Sequence, residues 1–195
     1  MKRTFFAVKA SNQTQKILEN ISEEFSEFDK KVKPANPGNP HITLKFLGDT
    51  REEDIDSIDQ EIRFAISRIP AFSFVCEGTG CFPRPSRPSV LWLGITEGLN
   101  YLKTLHNLLE LKLEKFGYTP DNSEFIPHLT YGRVRKQYKK LNSINRFLNY
   151  DYGQAFNPVE TVIWFESILT SKGAQHKPLR QYQLNKISGG KNVKR

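Results

Sequence analysis

Four residues occur twice, and their repetition constrains the fold more than any other feature of the chain. Pro40-His41-Ile42-Thr43 and Pro127-His128-Leu129-Thr130 share the pattern Pro-His-apolar-Thr, with the histidines 87 positions apart (128 − 41). In an extended strand, residues i and i+2 project from the same face. Each copy therefore presents an imidazole beside a hydroxyl and turns Ile42 and Leu44, or Leu129 and Tyr131, to the opposite, buried face. Two such strands facing each other across a cleft would surround one small anion with two imidazoles and two hydroxyls. An unperturbed histidine pKa of about 6.5 lets one ring be neutral and the other protonated near neutral pH. In-line displacement at phosphorus sets nucleophile and leaving group on opposite sides, which suits two histidines across a cleft better than two adjacent ones. The threonine hydroxyls suit the non-bridging oxygens. The set amounts to an acid–base apparatus for opening a phosphodiester without a metal.

The surroundings of the motifs repeat too. Thr4 precedes His41 by 37 positions (41 − 4), and Val90 precedes His128 by 38 (128 − 90). Phe74 follows His41 by 33 (74 − 41), and Ile163 follows His128 by 35 (163 − 128). Strands are expected at 4–10, 41–47, 72–76, 90–95, 128–134, 160–170 and 179–186. Helices are expected from about Asn12 or Thr14, over 50–69 with the stripe Ile55, Ile58, Ile62 and Ile66, over 99–116 with a leucine face, and over 138–148. The stretches 33–40 and 78–88, rich in Pro and Gly, read as loops, the second carrying Arg84 and Arg87. The expected class is α+β: a bilobal, pseudo-twofold pair of strand–helix–strand–helix–strand units with antiparallel sheets lining a central cleft. The repeats span approximately 4–77 and 90–170 of a single two-lobed domain, 1–187, followed by a basic flexible tail, 188–195.

Composition narrows the function classes. Apolar residues at 37% and aromatics at 12% suit a packed globule rather than a disordered chain. No apolar run is long enough to cross a membrane as a helix. The apolar run before Lys9 is too short for a signal-peptide core and reads as the edge of a sheet. Cys76 and Cys81 are the two cysteines, too few for a zinc set of their own, and indicate a reduced, cytoplasmic protein. A net charge of +8 favours polyanionic partners. A metal shared by His41 and His128 lacks acidic or thiol co-ligands at suitable spacing. His106, in the leucine-rich helix, and His176, in a Ser-Lys-Gly loop, have no repeated counterpart and read as structural or surface residues.

With these residues in hand, the chain resembles the bacterial and archaeal RNA 2′,3′-cyclic phosphodiesterases, formerly named 2′–5′ RNA ligases, of the 2H phosphoesterase superfamily. The resemblance runs from Arg3 to Leu184 and is carried by Arg3 to Val8, His41 to Gly48, Gly80 to Pro83, Arg87 to Gly94 and Phe125 to Arg133. It implies cofactor-free hydrolysis of RNA 2′,3′-cyclic phosphate ends, such as those of tRNA halves, to 2′-phosphomonoesters by a monomer with no obligate protein partner. It implies His41 as proton donor to the leaving 3′ oxygen, His128 as the acceptor that activates water, and Thr43 and Thr130 on the phosphate. Arg133 matches a family arginine near the phosphate, and Phe5, Phe46, Phe82 and Tyr131 are candidates to stack a base. Where relatives often carry Arg-Trp before the first loop, this chain has Lys31-Val32-Lys33. Two other readings stand beside hydrolysis: joining of RNA halves through a 2′–5′ linkage by the reverse step, and a non-catalytic RNA-binding module.

Overall fold

The run Phe5-Phe6-Ala7-Val8 has no polar alternation, and a strand of that kind needs cover on both faces. In the computed structural model, which describes residues 1–28, 30–121, 123–138, 140–171 and 173–186, it lies within the first strand. All four residues are at most 2% exposed. The element order is β1 (Lys2–Lys9), α1 (Asn12–Glu24), β2 (Val32–Pro34), β3 (His41–Thr50), α2 (Ile55–Ile66), β4 (Phe72–Phe82), β5 (Val90–Glu97), α3 (Leu99–Glu114), β6 (Leu129–Val134), α4 (Ile144–Leu148), β7 (Gln154–Val159), β8 (Thr161–Thr170) and β9 (Gly173–Gln183). The expectation of a sheet edge at the N-terminus is corrected: β1 is an interior strand between β3 and β8.

The strands form two antiparallel sheets, ordered β3-β1-β8-β9 and β2-β6-β5-β4-β7. The duplication is visible in these orders, with one exchange. The first unit's opening strand and His strand, β1 and β3, take as their third neighbour β8 from the second unit. The second unit's β5 and β6 take β4 from the first. The triplets β3-β1-β8 and β6-β5-β4 are therefore equivalent, and each sheet is built from both halves of the chain.

Helix packing follows the apolar stripes. Ile58, Ile62 and Ile66 of α2 and Leu102, Leu105, Leu109 and Leu113 of α3 are fully buried, in one core cluster with residues of both sheets. On α1, Leu18 and Ile21 join the same core, and the Ser11 side chain caps the helix by accepting from the Thr14 N–H. A smaller apolar patch of Phe5, Ala7, Ile163 and Phe165 covers the other face of the first sheet.

Several boundaries differ from expectation. α2 begins at Ile55 after a 3-10 turn at Glu52–Asp54, and the basic helix expected over 138–148 contracts to α4, where Ile144 and Phe147 supply the buried face. The strand β4 continues through 78–82, expected as loop, because β5 pairs with it as far as Phe82–Val90. β7 was not anticipated. It is an edge strand whose Ala155, Asn157 and Val159 point inward, and Pro158 is tolerated there because one side of the strand has no ladder to complete. β9 starts at Gly173, ahead of the expected Leu179, and so places His176 on a strand rather than in a loop. Both cysteines are free thiols. The tail at 188–195 lies outside the described residues.

Candidate active site

The two His strands meet: Cα atoms of β3 and β6 approach within 8 Å. Their local structure repeats in detail. His41 Nδ1 lies 2.9 Å from the Asn39 carbonyl, and His128 Nδ1 lies 2.8 Å from the Ile126 carbonyl, each two residues upstream. A carbonyl only accepts, so Nδ1 carries the proton in both rings. Nε2 is left as the nitrogen for proton exchange, with the ring orientation held by the backbone.

Burial also repeats residue by residue. His41 to Phe46 and His128 to Arg133 both run partly exposed, buried, partly exposed, buried, buried, exposed. The two consecutive buried positions mark a break in alternation. Pairing with β1 skips from Thr43 to Lys45, and pairing with β5 skips from Thr130 to Gly132, so Leu44 and Tyr131 are the extra residues of equivalent β-bulges. A bulge shifts the phase of the side chains beyond it. Strict alternation would send Phe46 and Arg133 to the core side of the threonines. The bulges return them to the threonine side, and both line the same cleft as Thr43 and Thr130.

That cleft has a volume of about 420 Å³, and its lining includes Thr43, Phe46, Phe82, His128, Thr130 and Arg133. His41 stands two residues along β3 from Thr43, on the same face. Its ring is 5.4 Å from Phe5, 6.2 Å from Phe165 and 5.1 Å from His176, so the small apolar patch forms its floor. This burial pushes the His41 imidazole down to about 4; the Asn39 carbonyl opposes the shift, and nearby His176 and Lys9 add to it. His128 is also lowered, first by burial and then by Arg133, against the pull of the Ile126 carbonyl.

His128 is walled by Phe82, with ring centres 5.0 Å apart and nearly perpendicular, and by Trp92 at 6.3 Å. Gly80 makes room for that indole: a Cβ there would stand 2.1 Å from the Trp92 ring. Gly80→Ala is expected to displace Trp92, cost about 1–3 kcal/mol by overpacking, and reduce turnover through the disturbed His128 wall. Denaturant unfolding and steady-state kinetics on the one variant check both effects.

The far end of the cleft is a buried polar cluster. Lys45 Nζ lies 2.7 Å from Glu110 Oε2 and donates to the Thr119 carbonyl at 3.0 Å. The His106 Nδ1 is 2.8 Å from the Leu44 carbonyl at the bulge, and its ring stacks on Phe125 at 4.1 Å. These contacts bind β3 to α3 and to the segment that leads into His128.

Comparison with known proteins identifies the family and the fold. The sequence pattern of the family described as LigT like Phosphoesterase matches residues 8–92, which hold the first motif. An RNA 2′,3′-cyclic phosphodiesterase of Archaeoglobus fulgidus is 34% identical over 93% of this chain and 99% of its own length. The chain belongs to the LigT-like phosphoesterase family. Another relative with the same printed name, from Aeropyrum pernix, is 32% identical over 82% of this chain and 89% of its own. The structure of TT0787 from Thermus thermophilus superimposes with a TM-score of 0.76 at 23% identity, covering 95% of this chain and 99% of that one, and shares the fold.

Within this LigT-like phosphoesterase, the residues singled out from sequence are distributed unevenly. Thr43, Phe46, Phe82, His128, Thr130 and Arg133 share the cleft, with His41 beside it. Phe46 is 59% exposed, the most open aromatic of the set. Phe5, at 2% exposure, lies in the patch beneath His41, and Tyr131, at 5%, packs in the core with its ring 5.6 Å from Phe147. The bulge explains Tyr131: it is the inserted residue, turned inward. His176, expected from sequence as a structural or surface residue of a loop, reaches His41 because β9 pairs with β8. Sequence reading passed over Lys45 and Glu110, an i-to-far pair with no local signature.

Proposed function

We propose that this protein hydrolyses the 2′,3′-cyclic phosphate end of RNA to a 2′-phosphomonoester, with His41 and His128 as the acid–base pair. The observation that carries the reading is the matched pinning of both Nδ1 atoms on carbonyls two residues upstream, on strands that meet at one cleft. It supports two imidazoles poised alike, each with Nε2 free. Water attacks phosphorus while His128 Nε2 takes its proton. The P–O3′ bond breaks, and His41 Nε2 gives its proton to the departing 3′ oxygen, so the 2′ ester remains. Thr43 and Thr130 hydroxyls donate to the non-bridging oxygens as charge develops there, and Arg133 adds positive charge to the same site. Phe46 offers its exposed face to the terminal base. The names printed for relatives of high coverage support the substrate class. Incubation of an oligonucleotide ending in a 2′,3′-cyclic phosphate, with chelator present, should yield the 2′-phosphate; an unchanged substrate or a 3′-phosphate would defeat the proposal.

The pH dependence follows from the lowered imidazoles. A donor His41 must be protonated, yet in the free protein it loses its proton near 4. An anion bound beside it favours the imidazolium and raises that pKa. The falling, alkaline limb of kcat, which reports the bound complex, should therefore lie at higher pH than the falling limb of kcat/KM, which reports the free enzyme. Coincident limbs would mean that the phosphate does not sit against His41.

A further inference from the structure

The positive charge of this chain is not spread evenly around the cleft. Several cations on or beside its helices are matched: Arg63 with Asp59, Lys112 and Lys115 with Glu61, and Arg146 with Glu24 and Glu27. Those along the outer edge of the second sheet are not. Lys33 on β2 pairs in register with Arg133 on β6, and Arg133 with Val90 on β5, so residues facing each other there share a side of the sheet. The Arg135 N–H donates to the Lys31 carbonyl, and the turn holding Arg84 and Arg87 is tied in through the Val134 N–H to the Ser89 carbonyl. Lys33, Arg84, Arg87, Arg133 and Arg135 are all exposed. Among the described residues none of the five has a carboxylate within ion-pair distance. The opposite end of the cleft carries Asp121 and Glu124, with Glu110 there neutralised by Lys45. The cleft is thus electrically polarised, cationic toward the β2–β6 edge and anionic toward the segment at 121–126.

We infer that this edge is a binding surface for the single-stranded RNA upstream of the reacting end, whose phosphates run outward from Arg133 over Lys33, Arg135 and the Arg84–Arg87 turn. The inference rests on the RNA reading proposed above and extends it from the terminal nucleotide to the strand behind it. A polyanion leaving the cleft by the other route would meet the carboxylates of Asp121 and Glu124; over the β2–β6 edge it meets unneutralised cations, and each phosphate contact releases counterions. No base-edge recognition is required, so the surface is indifferent to sequence and sensitive to salt. The device separates two tasks: the His–Thr pairs act on the terminal phosphate, while the edge selects a polymer over a free cyclic nucleotide.

The test compares the unmodified protein with Lys33→Gln/Arg135→Gln on two substrates, a nucleoside 2′,3′-cyclic phosphate and an RNA of about ten nucleotides with the same end. For the oligonucleotide the variant should lower log K against log salt by about 0.7 per lost contact, about 1.4 in slope, which is about 25-fold in affinity at about 0.1 M salt relative to 1 M. For the mononucleotide, kcat and KM should stay within about twofold. Binding of the oligonucleotide product, measured by fluorescence polarisation, reads the same slope without turnover. Absence of turnover on both substrates would sink the hydrolase reading while the binding slope still judges the surface. An unchanged slope, or an equal loss on both substrates, would overturn the surface itself.

Discussion

His41→Ala and His128→Ala are each expected to lower the rate of cyclic-phosphate hydrolysis by about 10²–10⁴-fold, the range that a positioned proton donor or acceptor contributes. Neither replacement should abolish the fold. Each ring makes one hydrogen bond, to a local carbonyl, and packs on aromatic neighbours that stay in place, and the strands are paired through backbone groups that the substitutions leave intact. The two variants differ in how they fail. In the proposed mechanism, loss of His128 removes activation of water, and the defect should persist whatever leaves from phosphorus. Loss of His41, the proposed donor, removes a proton that only a poor leaving group needs. A native circular dichroism spectrum and a cooperative thermal transition, beside the loss of turnover, would separate chemistry from folding.

Lys45→Ala is expected to destabilise the fold by about 3–5 kcal/mol, because it strands a buried carboxylate. The side chains of Lys45 and Glu110 are 7% and 12% exposed, and among the described residues Glu110 Oε1 has no hydrogen-bond partner, its neighbour His106 Nε2 standing 3.8 Å away. Removing the ammonium also frees the Thr119 carbonyl, and with it one tie on the segment approaching His128. For a chain of this length, such a loss lowers the melting temperature by about 6–20 °C. The paired change Lys45→Met/Glu110→Leu removes both charges and keeps the volume, so its stability should return to near that of the parent. A fall of less than about 1 kcal/mol in Lys45→Ala would show that the pair is hydrated and immaterial. Calorimetry on the three proteins decides.

Why the duplication is legible in the sequence, while much of the site is not, comes down to the range of the interactions involved. The Pro-His-apolar-Thr copies are local: the strand period puts imidazole and hydroxyl on one face, and Ile42 and Leu129 are buried as that period requires. The order of elements is also local, and the apolar stripes of α2 and α3 hold residue for residue. The exchange of β4 and β8 between sheets is a long-range choice. The same strand sequences would satisfy either sheet's periodicity, so spacing alone is silent about it. The bulges at Leu44 and Tyr131 break the period that the reading relied on, and they alone explain why Phe46 and Arg133 reach the cleft while Tyr131 does not. Phe5 was ambiguous from the start, since a strand buried on both faces gives no sign of which aromatic meets a ligand. It proves to support His41 from beneath. His176 is the clearest correction: as a residue beyond the second repeat it has no copied partner, and the β8–β9 pairing brings it to His41.

The division of labour between the two histidines can be measured directly with an RNA whose terminal cyclic phosphate carries sulfur in place of the bridging 3′ oxygen. A thiolate leaves without being protonated, so the donor becomes dispensable while the acceptor does not. His41→Ala should then approach the rate of the unmodified protein on the sulfur substrate, and His128→Ala should remain as impaired as on the oxygen one. Recovery of His128→Ala instead, or equal impairment of both variants on both substrates, would contradict the assignment of one imidazole to each side of the phosphorus.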